Sequence, residues 1–126
     1  MRAATYDAGA LIAAERKSRA MWTYHRRLLD DKVRPTVSTA VLGQVWRGGP
    51  QPLLSRFLRG CKIEPLDERQ ARLAGAALAR SGTNDVIDAV VVLSALPANK
   101  VIVTSDPDDL QRVADALGRE LSLHVV

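Results

Sequence analysis

The stretch from Asn84 to Asp109 constrains this chain more than any other. It reads as an apolar helix, Asn84-Asp85-Val86-Ile87-Asp88-Ala89-Val90-Val91-Val92-Leu93, then a strand from Lys100 to Thr104, then the turn Ser105-Asp106-Pro107-Asp108-Asp109. Side chains three residues apart on a helix are neighbours, so Asp85 and Asp88 share one face, about one turn apart. A carboxylate set between Ile87 and Val90 costs free energy unless it is solvated, paired or metal-bound. Asp106 ends a strand and starts a helix, which places it at a strand's carboxyl end, where open α/β sheets bind ligands. The N-terminus repeats that arrangement: a strand from Arg2 to Tyr6 runs into Asp7 and then a helix through Glu15. Brought together with no basic partner nearby in sequence, these carboxylates would repel unless a divalent cation neutralised them.

Between these ends the chain alternates strand and helix. A helix from Ala20 to Asp30 leaves Arg26 and Arg27 exposed, and Val33 to Val37 is a short strand. Ser38 or Thr39 caps a helix that Gly48-Gly49-Pro50 stops; Pro52 opens another, ended by Gly60. Cys61 to Leu66 alternates polar and apolar residues, and Pro65 makes it an outer strand because it cannot donate to a ladder. Asp67 caps an Ala-rich helix through Arg80, and a helix over 107–117 precedes a last strand from Leu121 to Val125. Strands separated by helices predict parallel βαβ units with helices on both faces of one sheet of four to five strands. The 126 residues make one domain, 1–126, without a linker or an internal repeat.

Charge is distributed unevenly. Residues 1–62 hold 12 Lys and Arg against 4 Asp and Glu, while residues 63–126 hold 6 against 10. A basic half facing an acidic half suits a polyanion held by one and a metal by the other, although solvated surface helices give the same imbalance. No apolar run is long enough to span a bilayer, and the first residues turn acidic too soon for a signal peptide, so a cytoplasmic location is expected. Cys61 reads as a packing residue, His25 and His124 as surface residues, and Trp22 and Trp46 as core or dimer contacts. Gly9, Gly48 and Gly49 form no phosphate-loop or dinucleotide fingerprint.

Three segments taken together resemble a known family. Asp7-Ala-Gly-Ala-Leu-Ile-Ala after a strand, Asp85-Val-Ile-Asp88-Ala at a helix start, and Val103-Thr104-Ser105-Asp106-Pro-Asp-Asp109-Leu are similar to PIN domains, most closely the VapC-type toxins of toxin–antitoxin pairs. The resemblance spans the chain. It implies a three-layer α/β/α sandwich around a parallel sheet, with acidic residues at one sheet end that bind Mg²⁺ or Mn²⁺ and hydrolyse RNA phosphodiesters. On that pattern Asp7, Asp88 and Asp106 match the family's metal-binding acids, Asp85 and Asp109 its additional acidic positions, and Thr104 or Ser105 could orient a ligand. A small VapB-like antitoxin that neutralises the enzyme, and a homodimer, are implied as well. One position departs: Gln44 stands where the family usually has Glu. Gln keeps an oxygen but loses the charge, which should weaken the metal without abolishing the site.

Arg16, Lys17, Arg19, Arg26 and Arg27 follow Asp7 in a helical pair, and some of them are expected to hold the RNA backbone. Two readings compete with the nuclease. Asp7 and Asp106 are each good helix N-caps, and a relative lacking the Glu could bind RNA or antitoxin without cutting. A phosphoacceptor receiver domain also clusters carboxylates at strand ends, but it would want an acidic pair near the first strand and a Lys after a late one; Asp7 stands alone and Lys100 begins its strand.

Overall fold

The computed structural model describes residues 1–126. Five parallel strands, β1 (Ala4–Tyr6), β2 (Thr36–Ser38), β3 (Lys62–Glu64), β4 (Val101–Thr104) and β5 (Ser122–Val125), form one sheet in the order β3-β2-β1-β4-β5. The chain steps outward from β1 to β2 and β3, then crosses back to β4 and β5. The order therefore reverses between β1 and β4, and the crevice at a parallel sheet's carboxyl edge opens at such a reversal.

Helices α1 (Ala8–Glu15), α2 (Arg19–Asp30), α3 (Thr39–Val45) and α4 (Pro52–Leu58) connect β1, β2 and β3 and pack on one another. Helices α5 (Glu68–Ser81), α6 (Val86–Ala95) and α7 (Pro107–Ala116) make the other layer. With right-handed crossovers, reversing the direction of travel across the sheet puts the helices on the opposite face, which gives the three-layer α/β/α sandwich. No helix is long and apolar enough to cross a membrane.

Local signals operate as written in the sequence. Asp67 and Gln70 close a capping box on α5, Gly82 ends that helix in the left-handed region, and Pro52 sits in the first turn of α4. The strands are shorter than their apolar runs suggest. β2 begins only at Thr36, because Lys32 turns the chain with a positive φ and Arg34 points away to donate to the Cys61 carbonyl.

The expectation for His25 is overturned. It is buried on α2, and its Nδ1 lies 2.8 Å from the Tyr6 hydroxyl, while its ring stacks on Phe57 with centroids 3.9 Å apart. Met21, His25 and Leu28 occupy one stripe of α2, and the site is filled by a polar ring because Tyr6 needs a partner there. His124 is half-buried against Tyr24. Trp22 is partly buried and donates to the Ala14 carbonyl, and Cys61 packs in the core as expected. Trp46 lies outside the core, 43% exposed.

Candidate functional site

At the reversal point the register sets Tyr6 beside Val103, so the next residues along, Asp7 and Thr104, emerge side by side. The Asp7 amide continues the ladder to the Val103 carbonyl at 3.2 Å. Its side chain caps α1, accepting from the Ala10 amide at 3.0 Å. Asp106 caps α7 and Asp85 caps α6 in the same way, the latter accepting from Ile87 and Asp88 amides. The acidic helix thus starts at Val86, with Asp85 just before it. Three helix N-termini therefore point toward one place, each with a carboxylate on it. Their amide dipoles offset part of the negative charge, and the caps at Asp85 and Asp106 use one carboxylate oxygen each and leave the other free.

Asp7, Gln44, Asp85, Asp88, Ser105, Asp106 and Asp109 line a single cleft of about 210 Å³, with Ala8, Gly9, Ile87 and Val91 as its remaining walls. No Lys or Arg enters it. Asp109 alone among these acids has a cation within reach, the exposed Arg112 at 3.4 Å, a contact worth little in water. Asp88 caps nothing. Burial first, then the like charges of Asp85, Asp109, Asp7 and Asp106, push its carboxyl up to about 6. Asp7 is raised too: burial outweighs the hydrogen bonds from Thr104, Ala10 and Gly9 that pull it down. Thr104, fully buried, also accepts from the Asp106 amide at 3.0 Å, so one hydroxyl ties the first and last acids together.

The donor set suits a hard divalent cation: oxygen ligands, uncompensated charge and carboxyls held above their ordinary range. Lining one cleft is not yet a closed ligand sphere, however, and no three acidic side chains converge closely enough to hold an ion. Mg²⁺ keeps several waters and asks for only one or two carboxylates, so an open arrangement of this kind is compatible with it.

The structure brings the expected acids and Gln44 together but leaves the basic residues elsewhere. Arg19, Arg26 and Arg27 line a separate hollow, and Arg16 and Lys17 belong to neither cleft. Glu15 lies away from the acids and accepts from Gln51 at 2.6 Å. Gly9 is a contributor that the sequence reading passed over. A Cβ there would lie 2.1 Å from the Ser105 Oγ and 2.9 Å from the Ser105 backbone nitrogen, so its absence lets α1 close on the turn after β4. The sequence signal for it is a Gly two residues beyond the strand-end acid, which marks close backbone approach.

No family model matches the sequence, and no curated protein matches it. Solved structures do match its shape. The crystal structure of VapBC2 from Rickettsia felis, bound to a DNA fragment from their promoter, superposes with a TM-score of 0.75 and 15% identity over 98% of both chains. The fold is PIN-like. A second match, PAE2754 from Pyrobaculum aerophilum, has a TM-score of 0.63 and 12% identity, covering 97% of this chain and 83% of that one. Likeness at such identities is one of backbone fold.

Proposed function

We propose that the protein is a metal-dependent endoribonuclease of the toxin type, neutralised by a small VapB-like antitoxin. The observation that carries the reading is the cleft at the β1/β4 reversal, which gathers five carboxylates with no lining cation. Phosphodiester cleavage adds negative charge to the scissile group, which an acidic cleft cannot meet unaided. Bound Mg²⁺ or Mn²⁺ would offset that charge and lower the pKa of an attacking water.

The chain's own residues do the rest. Asp106 offers the oxygen its cap leaves free, Asp7 offers the remaining lone pairs of its hydrogen-bonded carboxylate, and Asp88, without a protein donor, is the acid most in need of a counter-charge. Asp85 and Asp109 add field at the rim. Thr104 fixes Asp7, Ser105 faces the cleft as a hydroxyl for a phosphate oxygen, and Gln44 orients water without taking its proton. The likeness in fold to a chain from a VapBC2 structure supports the reading of an antitoxin partner.

A second reading is favoured by Gln44 and by the unclosed ligand set: a module that binds RNA or antitoxin without cutting. A cleavage assay on a single-stranded RNA separates the two. Under the nuclease reading, wild type cuts with Mg²⁺ or Mn²⁺ and not with chelator, Asp88→Asn loses about 10²-fold or more, and Gln44→Glu cuts faster. Absence of cutting in wild type and Gln44→Glu alike, in either metal, sinks the nuclease.

A further inference from the structure

Helices α2 and α4 enclose a second hollow, of about 900 Å³, that the chemistry above does not use. Arg19, Arg26 and Arg27 of α2 and Arg56 of α4 line it, against one carboxylate, Asp30. It shares no lining residue with the acidic cleft. All four arginines are exposed, and none takes part in an ion pair of the molecule. Cations this dense and unpaired make a positive field that a polyanion would fill.

The aromatic neighbours choose among polyanions. Arg19, Thr23 and Arg27 stand at i, i+4 and i+8, a ridge about 12 Å long on one helix face. On the far side of that ridge is a hollow of about 580 Å³ where Tyr24 stacks on His124, centroids 4.4 Å apart and rings 15° from parallel. On the near side the Arg56 guanidinium lies 5.2 Å from the Trp22 ring centroid. Guanidinium forks grip phosphates, and accessible π faces stack bases, which is how single strands are held. An acidic peptide would use the charges and leave the ring faces idle.

We propose that the α2 face, with Arg56, is an exosite for single-stranded RNA. Arg19, Arg27 and Arg56 clamp the backbone, and the Tyr24–His124 pair stacks a base. The exosite takes the identity of its polymer from the ribonuclease reading, while its geometry stands apart from the acidic cleft.

The test is fluorescence anisotropy with a labelled RNA strand of about ten nucleotides, in chelator and on an Asp88→Asn background so that the strand stays whole. Arg27→Ala/Arg56→Ala weakens binding by about tenfold and flattens the slope of log affinity against log salt by about 1.4, each lost phosphate contact removing about 0.7. Tyr24→Ala weakens binding about tenfold with the slope unchanged, since stacking releases no counterions. Circular dichroism verifies that the variants are folded. Unchanged affinity and slope in the arginine variant overturn the exosite. So does tighter binding of the same sequence as DNA, or a variant that loses polyglutamate but keeps RNA, which would make the groove a peptide site. A wild type that cuts RNA while the arginine variant binds normally removes the exosite alone. Arginine-dependent binding with no cutting in either metal removes the nuclease and leaves the exosite.

Discussion

On the proposed reading, stability and function pull in opposite directions at Asp88. Its folded pKa, about 6, lies above its ordinary 3.8, so the fold disfavours the ionised form. The contribution to stability is therefore complete at low pH and is lost as pH rises through about 6; at neutral pH the penalty is fully present. Asp88→Asn should stabilise the metal-free protein at pH 7 by on the order of 1–2 kcal/mol, the full shift being discounted for solvent screening. Denaturant midpoints in chelator check this, and a destabilised variant would mean that the carboxylate has a partner. Gly9 makes the complementary case. A methyl group there meets backbone as well as a side chain, so rotating Ser105 away cannot relieve it, and α1 must lift from the turn that carries Asp106. Gly9→Ala should cost about 1–3 kcal/mol and weaken Mn²⁺ binding in a titration, because it separates Asp7 from Asp106. Normal Mn²⁺ affinity in a folded Gly9→Ala protein would show that this spacing does not matter.

At the scale of elements, the packing of α2 and α4 on β1 is organised by rings. Tyr6, His25, Trp22 and Phe57 touch edge or face, and burial drops His25 to about 4 and pushes the Tyr6 hydroxyl above its usual range. A histidine with a depressed folded pKa supports the fold above its ordinary 6.5 and withdraws that support as pH falls through about 4. Urea midpoints should therefore fall between about pH 6.5 and 4, and His25→Gln, which can still bond Tyr6, should flatten that limb. An identical acid limb in the variant would mean that His25 does not titrate in this range. The same helix shows why the sequence reading stopped where it did. Asp7, Asp85, Asp88 and Asp106 were legible because strand-end acids and acids at the start of an apolar helix leave a mark on any single strand or helix, whereas Gln44 and Asp109 stood out only through the family resemblance. His25 was not legible, since a lone imidazole on a basic helix looks solvated until its i, i+4, i+7 company, Met21 and Leu28, is taken as the buried stripe. Arg56 was missed for a related reason: it belongs to α4, and only packing sets it beside the arginines of α2.

Across the whole molecule, the two kinds of charge occupy different hollows, the acids at the sheet's carboxyl edge and the arginines between α2 and α4. That separation keeps arginines out of the acidic cleft, where they would neutralise it, and on the proposed reading the acids then depend on an external cation. The dependence has a global readout. An ion that binds only the folded state adds RT ln(1 + [ion]/Kd), about 2.7 kcal/mol at a hundredfold excess, which for a chain of this size raises Tm by roughly 10 °C. The proton competes for the same carboxylate, because Asp88 must ionise to take part and does so only above about pH 6. Mn²⁺ should then raise Tm at pH 7.5 and lose most of that effect at pH 5, while in Asp88→Asn the increment should be small at both. Differential scanning calorimetry with and without Mn²⁺ at the two pH values measures all four cases. An Mn²⁺ increment that survives at pH 5, or that Asp88→Asn leaves intact, would place the ion elsewhere on the molecule and separate the acidic cleft from metal chemistry.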